Sequence, residues 1–175
     1  LYKEIAVNLL DVGTFDLIFS IAFVQWLQNQ EEFIANAFSM LNKNGIFAAQ
    51  IPLFEEMPAN QCVIKAEEIF ADKFKGIEKD KYVLHSASEY YNMVAKCTDK
   101  IEIWITDYCH EMDNHRKILE FLRGAALRPY IDRLNEEEQK LFMDEVLKNL
   151  EIEYHYQKNG KILFPFKRLF LVGQK

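Results

Sequence analysis

The spacing of hydrophobic positions changes several times along the chain, and each change marks an element. "FDLIFS" at 15–20 is a short, nearly continuous apolar run. That pattern predicts a strand buried on both faces, as in a parallel sheet. From 30 to 42 the residues Phe33, Ile34, Ala37, Phe38 and Leu41 recur at helical spacing and share one face. "NKNG" at 42–45 predicts the end of that helix, with Gly45 as its C-terminal cap. "GIFAAQIP" at 45–52 is again a mostly apolar strand. The segment 15–52 therefore predicts a βαβ unit, parallel and right-handed.

Beyond it, 60–75 reads as a helix with Val63, Ile64, Ile69 and Phe70 inward. A shorter helix is expected over 86–95, where Ser86 and Glu89 stand at capping-box spacing. From 100 to 108 the period becomes two: Ile101, Ile103 and Ile105 on one face, Glu102, Trp104 and Thr106 on the other. Helices follow over 114–122 and, capped by Asn135, through Leu150. "QKNGK" at 157–161 is a turn, and 167–172 ("KRLFLV") is a last strand. Residues 1–13 stay ambiguous and end in a turn-like "DVGT". The order is βαβ, helices, strand, helices, strand, an α/β class domain spanning 1–175. The helices between about 113 and 150 interrupt the last two strands, so they are expected to form a cap insertion over one end of the sheet.

Composition narrows the function. Half of the 175 residues are apolar, enough for a sizeable core, and the length suits one domain. The net charge is −6 with no basic run, which disfavours nucleic acid and anionic membrane as partners. No apolar run approaches the roughly 20 residues needed to span a bilayer. The cysteines, Cys62, Cys97 and Cys109, are odd in number and far apart, which fits reduced thiols in a cytoplasmic protein. His85, His110, His115 and His155 show no metal-ligand spacing, so no metal is expected.

Several phrases, in order, carry a resemblance: "DLIFSIAFVQWL", "LNKNGIFAAQIP", "EYYNMV", "IEIWITDYCHEM", "GAALRPYI", "NGKILFPF" and "KRLFLVGQ". The chain resembles S-adenosylmethionine-dependent methyltransferases of the trans-aconitate methyltransferase group. The resemblance implies a Rossmann-like class I methyltransferase sheet with a reversed hairpin, formed by "IEIWITDY" and "KRLFLVG", and S-adenosylmethionine as cofactor. It also implies O-methylation of a small carboxylic acid. "TFDLIF" resembles that family's fourth strand, so only the later strands are expected here. The family's glycine-rich loop and its ribose-binding acid have no counterpart in these residues. The chain alone is therefore expected to hold the cofactor weakly. A sheet lacking its first strands would also expose an edge open to pairing with a second copy. Two alternatives stay open: a methyltransferase for a malonyl carrier protein, and an inactive remnant serving as an interaction module.

In ligand-binding α/β sheets the site lies beyond the carboxyl ends of the strands. Ser20, Ile21 and Ala22 stand at that end of the first strand, flanked by Gln25 and Trp26, and are the expected cofactor contacts. A sulfonium suits small residues, nearby oxygens and aromatic faces. The family usually has asparagine where Ile21 stands. Trp26 is otherwise core and Gln25 a helix start. Glu4 and Ile5 fall roughly where the family meets adenine; an exposed Glu4 is the simpler reading. For the substrate, Arg128 and Arg168 offer planar forks suited to carboxylates, or else ordinary surface ion pairs. Tyr90, Tyr91, Trp104, Tyr108 and His110 are candidates for an aromatic wall, at least two of them purely structural. No catalytic base is assigned, because a carboxylate acceptor is already ionised at neutral pH and His110 would at most orient it. After "IP" the family tends to have Asp-Asn, whereas this chain has Leu53-Phe54, so trans-aconitate itself is not assigned as acceptor.

Overall fold

The computed structural model describes residues 13–77 and 81–175. Four strands form one sheet in the order β1-β2-β4-β3: β1 Phe15–Ile21, β2 Leu41–Pro52, β3 Lys100–Met112 and β4 Ile162–Gln174. Strands β1 and β2 are parallel, as the βαβ pattern requires. Strand β4 lies antiparallel to β2 and separates it from β3. The helices are α1 Gln30–Ser39, α2 Pro58–Ile69, α3 Ala87–Ala95, α4 His115–Arg123, α5 Arg128–Ile131 and α6 Glu136–Glu153.

The chain groups into two compact units. The first comprises the described residues of 1–52, 82–106 and 168–175. Its core forms on the sheet face carrying Phe47, Ala49, Ile51, Leu169 and Leu171, all buried. Phe38 from α1 packs its ring 5.7 Å from that of Phe47. Gly173 is register partner to Phe47, and a Cβ there would meet Phe38 at 2.6 Å and Val94 of α3 at 2.9 Å. Helices α1 and α3 thus press onto this face so closely that only glycine fits beneath them. The opposite face carries Leu17, Phe19 and Ile21, which are 59%, 62% and 57% exposed, and Ile46. Strand β1 is therefore apolar on both faces, but among the described residues only the face under α1 and α3 is covered, not both as expected.

The second unit comprises 53–81 and 107–167. Aromatic rings dominate it: Phe74 meets Tyr130 at 5.1 Å and Phe142 at 5.4 Å, and Phe121 meets Phe166 at 5.3 Å. Glu67 of α2 accepts from Lys81 Nζ at 2.9 Å and from the Tyr130 hydroxyl at 2.9 Å. His115 bonds the Tyr154 carbonyl through Nε2 at 2.7 Å. A carbonyl only accepts, so that nitrogen carries the proton.

Both expected N-terminal caps form. Ser86 Oγ accepts from Glu89 N while Ser86 N donates to the Glu89 carboxylate. Asn135 and Glu138 repeat the arrangement at the start of α6. Four boundaries differ from expectation. Gly45 is not a helix cap, because α1 stops at Ser39 and "LNKNG" already belongs to β2. Its glycine has another cause: a Cβ there would meet Asn42 O at 2.9 Å and Phe15 O at 3.0 Å, at the irregularity where Phe15 pairs Leu41 but Leu17 pairs Ile46. Helix α2 ends at Ile69, which is 62% exposed rather than inward. Strand β3 runs on to Met112, and β4 starts at Ile162, so both strands extend beyond their apolar centres.

Gly173→Ala is expected to destabilise the protein by about 1–3 kcal/mol through overpacking against Phe38 and Val94. The shift of the urea midpoint measures it.

Candidate functional site

The parallel pair β1–β2 ends at Ile21 and Pro52, and the polar groups of interest gather there. Directly after β1, Ala22 has φ of +49°, a left-handed conformation uncommon for a residue with a side chain. Its N–H donates to Gln50 O at 2.8 Å, which fixes the sharp turn against β2. A short 3-10 turn, Val24–Trp26, follows. Gln25 is buried, and its carbonyl accepts from Val83 N at 2.7 Å. Gln30 Nε2 donates to Val83 O, also at 2.7 Å. Segment 82–85 is thereby tied along the chain that leaves β1, and Tyr82 packs edge-on to Trp26 at 5.4 Å.

Register divides the expected cofactor group between two faces. Ser20 pairs with Ala49 and is buried on the helix-covered face. Ile21 pairs with Gln50 on the opposite face and is exposed. Ser20 Oγ and Gln25 Oε1 are buried oxygens without a hydrogen-bond partner. Unmatched buried polar atoms are rare in native folds and call for a cause. Acceptor oxygens at the carboxyl end of a parallel strand fit a cationic group such as the sulfonium or ammonium of S-adenosylmethionine. Ile21 adds only an apolar surface there. Glu4 and Ile5 lie outside the described residues.

The expected substrate residues are spread over both units. In the first, Arg168 of β4 donates from Nη1 to Gln50 Oε1 at 3.0 Å. Phe170 is the register partner of Gln50, and Trp104 of β3 stacks on Phe170 at 5.2 Å and 7°. Ile21, Gln50, Phe170 and Trp104 thus form a row across four strands on the face opposite α1 and α3, with Arg168 beside it. Tyr90 is fully buried against His85 at 5.5 Å, and Tyr91 is exposed on the same helix. In the second unit Tyr108 and His110 stack at 6.4 Å, and His110 also meets Phe121 and Phe166 at 5.9 Å. His110 Nε2 is buried without a partner. Arg128 is exposed and sits 3.7 Å from Asp132 one helical turn on, an ordinary surface pair.

Gln50 was not expected from the sequence. Its one signal is a lone amide at the carboxyl end of an otherwise apolar strand. Burial pushes the Cys62 thiol up to about 11 and raises that of Cys97 as well, so both stay protonated at neutral pH. The second unit also has a recess of about 360 Å³ lined by Arg116, Arg123 and Lys140 but also by Glu120, Glu136 and Asp144. Mixed charge gives it no preference for an anion or a cation. Among the described residues no three histidine, cysteine or acidic side chains cluster as a metal site, and no helix is long and apolar enough to cross a membrane.

A parallel pair joined by a helix, with β4 antiparallel to β2 beside it, is an arrangement of the Rossmann-like class I methyltransferase fold. Loganic acid methyltransferase with S-adenosylhomocysteine superimposes with a TM-score of 0.59 at 13% identity, covering 93% of this chain and 62% of that one. The YcgJ protein from Bacillus subtilis superimposes with a TM-score of 0.51 at 13% identity, covering 97% and 68%. By sequence the chain is similar to proteins named trans-aconitate 2-methyltransferase. It is 32% identical over 164 residues to that of Escherichia coli O9:H4 (strain HS), a match covering 94% of this chain and 64% of that protein. The Shigella flexneri protein of the same name is 32% identical over 160 residues, covering 91% and 62%. The chain thus spans a little under two thirds of the length of these relatives. No family model matches it.

Ala22→Gly is expected to be neutral or to stabilise by up to about 1 kcal/mol, because glycine adopts positive φ without strain. Ala35→Gly, exposed in the middle of α1, is expected to cost about 1 kcal/mol instead. Paired thermal melts compare the two.

Proposed function

We propose that this chain acts in an S-adenosylmethionine-dependent methyltransferase whose acceptor is an oxygen of a small carboxylic acid. The observation that carries this reading is the 32% identity to trans-aconitate 2-methyltransferases along 94% of the chain, running through both ends of the site row. S-adenosylmethionine, when bound, supplies an electrophilic methyl group on a sulfonium. The chain's own residues have a limited task. A carboxylate acceptor is ionised at neutral pH, so no side chain has to take a proton from it. What matters is holding it in line and keeping water away. Arg168 suits the first task, as a half-buried guanidinium beside the strand ends. The Phe170–Trp104 stack suits the second. Ser20 and Gln25, with unmatched oxygens, are the residues to face the cationic end of the cofactor.

The test is twofold. Calorimetric titration with S-adenosylhomocysteine reports whether the chain holds the cofactor. Mass spectrometry of reactions with trans-aconitate, tricarballylate and a malonyl carrier protein reports the acceptor. Methyl esters of the free acids are expected, reduced at least about tenfold by Arg168→Ala. Failure to bind S-adenosylhomocysteine would overturn the enzyme reading for this chain. Methylation of the carrier protein alone would overturn the small-acid acceptor.

A second reading is favoured by one observation. Strand β1 is an outer strand of the described sheet and carries Leu17, Phe19 and Ile21 exposed. An apolar edge of this kind pairs readily with another strand. Self-association of the chain through β1 is expected to fall on Phe19→Lys, with the melting temperature little changed. Light scattering after size-exclusion chromatography measures it, and a monomer at high concentration before mutation would sink the idea.

A further inference from the structure

Segment 82–85 has neither helix nor strand of its own, yet it is half-buried against the chain that leaves β1. Val83 is held through both of its backbone groups. Its N–H donates to the Gln25 carbonyl at 2.7 Å, and its carbonyl accepts from Gln30 Nε2, also at 2.7 Å. Tyr82 sits edge-on to Trp26 at 5.4 Å, and His85 edge-on to Tyr90 at 5.5 Å. Gln30 opens α1 and is 2% exposed. Its amide cannot be turned over, because the Val83 carbonyl only accepts and so requires the nitrogen. Gln30 Oε1 is then left buried without a donor, as is Gln25 Oε1. With the segment seated, both glutamines keep an oxygen out of water unsatisfied, which costs stability. The cost vanishes when the segment lifts and water enters, or when a ligand with N–H or O–H groups supplies the donors.

We propose that segment 82–85 is a strap that S-adenosylmethionine draws down over the carboxyl end of β1, and that Gln30 is the positioning residue that latches it. A ligand shifts such an equilibrium only through its differential affinity for the two positions. With the strap lifted, water satisfies the two glutamine oxygens and a ligand gains nothing by replacing it. With the strap seated, only a ligand donor satisfies them, so the ligand favours the seated position. The cofactor carries suitable donors, an ammonium and hydroxyls. Gln30 links the two events, since one amide holds the strap through Nε2 and keeps Oε1 for the ligand. A seated strap keeps water from the end of β1 during methyl transfer. The inference rests on the methyltransferase reading for the identity of the ligand; the latch itself stands on the hydrogen bonds of Val83.

Hydrogen exchange at the Val83 amide, read on the chain as it is, tests the strap without any variant. Adding S-adenosylhomocysteine is expected to slow that exchange at least about tenfold, with the amides in the middle of α1 little changed. Gln30→Met keeps the side-chain length and removes both polar atoms. In that variant the Val83 amide is expected to exchange faster without ligand, and the slowing on adding S-adenosylhomocysteine to disappear. Affinity for S-adenosylhomocysteine, measured by calorimetry, is expected to fall at least about tenfold. A residue that only stabilised the fold would move the melting temperature and leave the ligand-induced slowing at Val83 in place. Binding of S-adenosylhomocysteine with Val83 exchange unchanged, or undiminished affinity in Gln30→Met, would overturn the strap and leave the methyltransferase reading intact. No binding of S-adenosylhomocysteine by the unaltered chain would overturn that reading and the strap together.

Discussion

Strand β2 is laddered on both edges, to β1 in parallel and to β4 in antiparallel, and the rest of the first unit depends on that double pairing. Two fixed registers through one strand decide which face every neighbouring residue takes. Phe47 brings Ile18 and Gly173 onto the face under α1 and α3. Gln50, three residues on, brings Ile21 and Phe170 onto the other. A slip of one residue would bury Leu17 and Phe19 and expose Phe47. The close approach at Gly173, where no Cβ fits, and the ring contact of Phe38 with Phe47 hold the register against such a slip.

The same pairing explains where the polar strain sits. Inside the sheet, backbone groups are matched and side chains are apolar. At the carboxyl end the ladder runs out within a turn, and Ala22 takes a left-handed conformation to keep its bond to Gln50 O. Around it the oxygens of Ser20 and Gln25 and the amide nitrogen of Gln50 are buried without partners. Strained backbone and unmatched polar atoms in one place cost stability, and proteins tend to keep them where a ligand is received. In the second unit the half-buried carboxylate of Glu67 has both a lysine and a tyrosine hydroxyl to satisfy it.

Much of the fold was legible because its signals are local. The 3.6-residue spacing of Phe33, Ile34, Ala37 and Phe38 marked α1, and Ser86–Glu89 and Asn135–Glu138 stood at the spacing at which capping boxes form. Gly45 misled because a glycine after a helix reads as a cap, whereas its reason is the nearness of Phe15 O in the neighbouring strand. The site was legible only in outline. The end of β1, Trp104 and Arg168 stood out by residue type. Gln50 did not, because an amide inside an apolar strand looks like a neutral filler until its partner 118 positions away is known.

The sequence by itself determined the class of fold, the parallel βαβ start, the two N-terminal helix caps and the similarity to trans-aconitate 2-methyltransferases, since each is written in neighbouring residues or in their linear order. Tertiary structure alone decided that Ser20 and Ile21 face opposite ways, that Arg128 spends its charge on Asp132 at the surface, and that Arg168 meets Gln50. Those outcomes depend on strand register and on contacts between distant segments. Spacing along the chain carries no information about either.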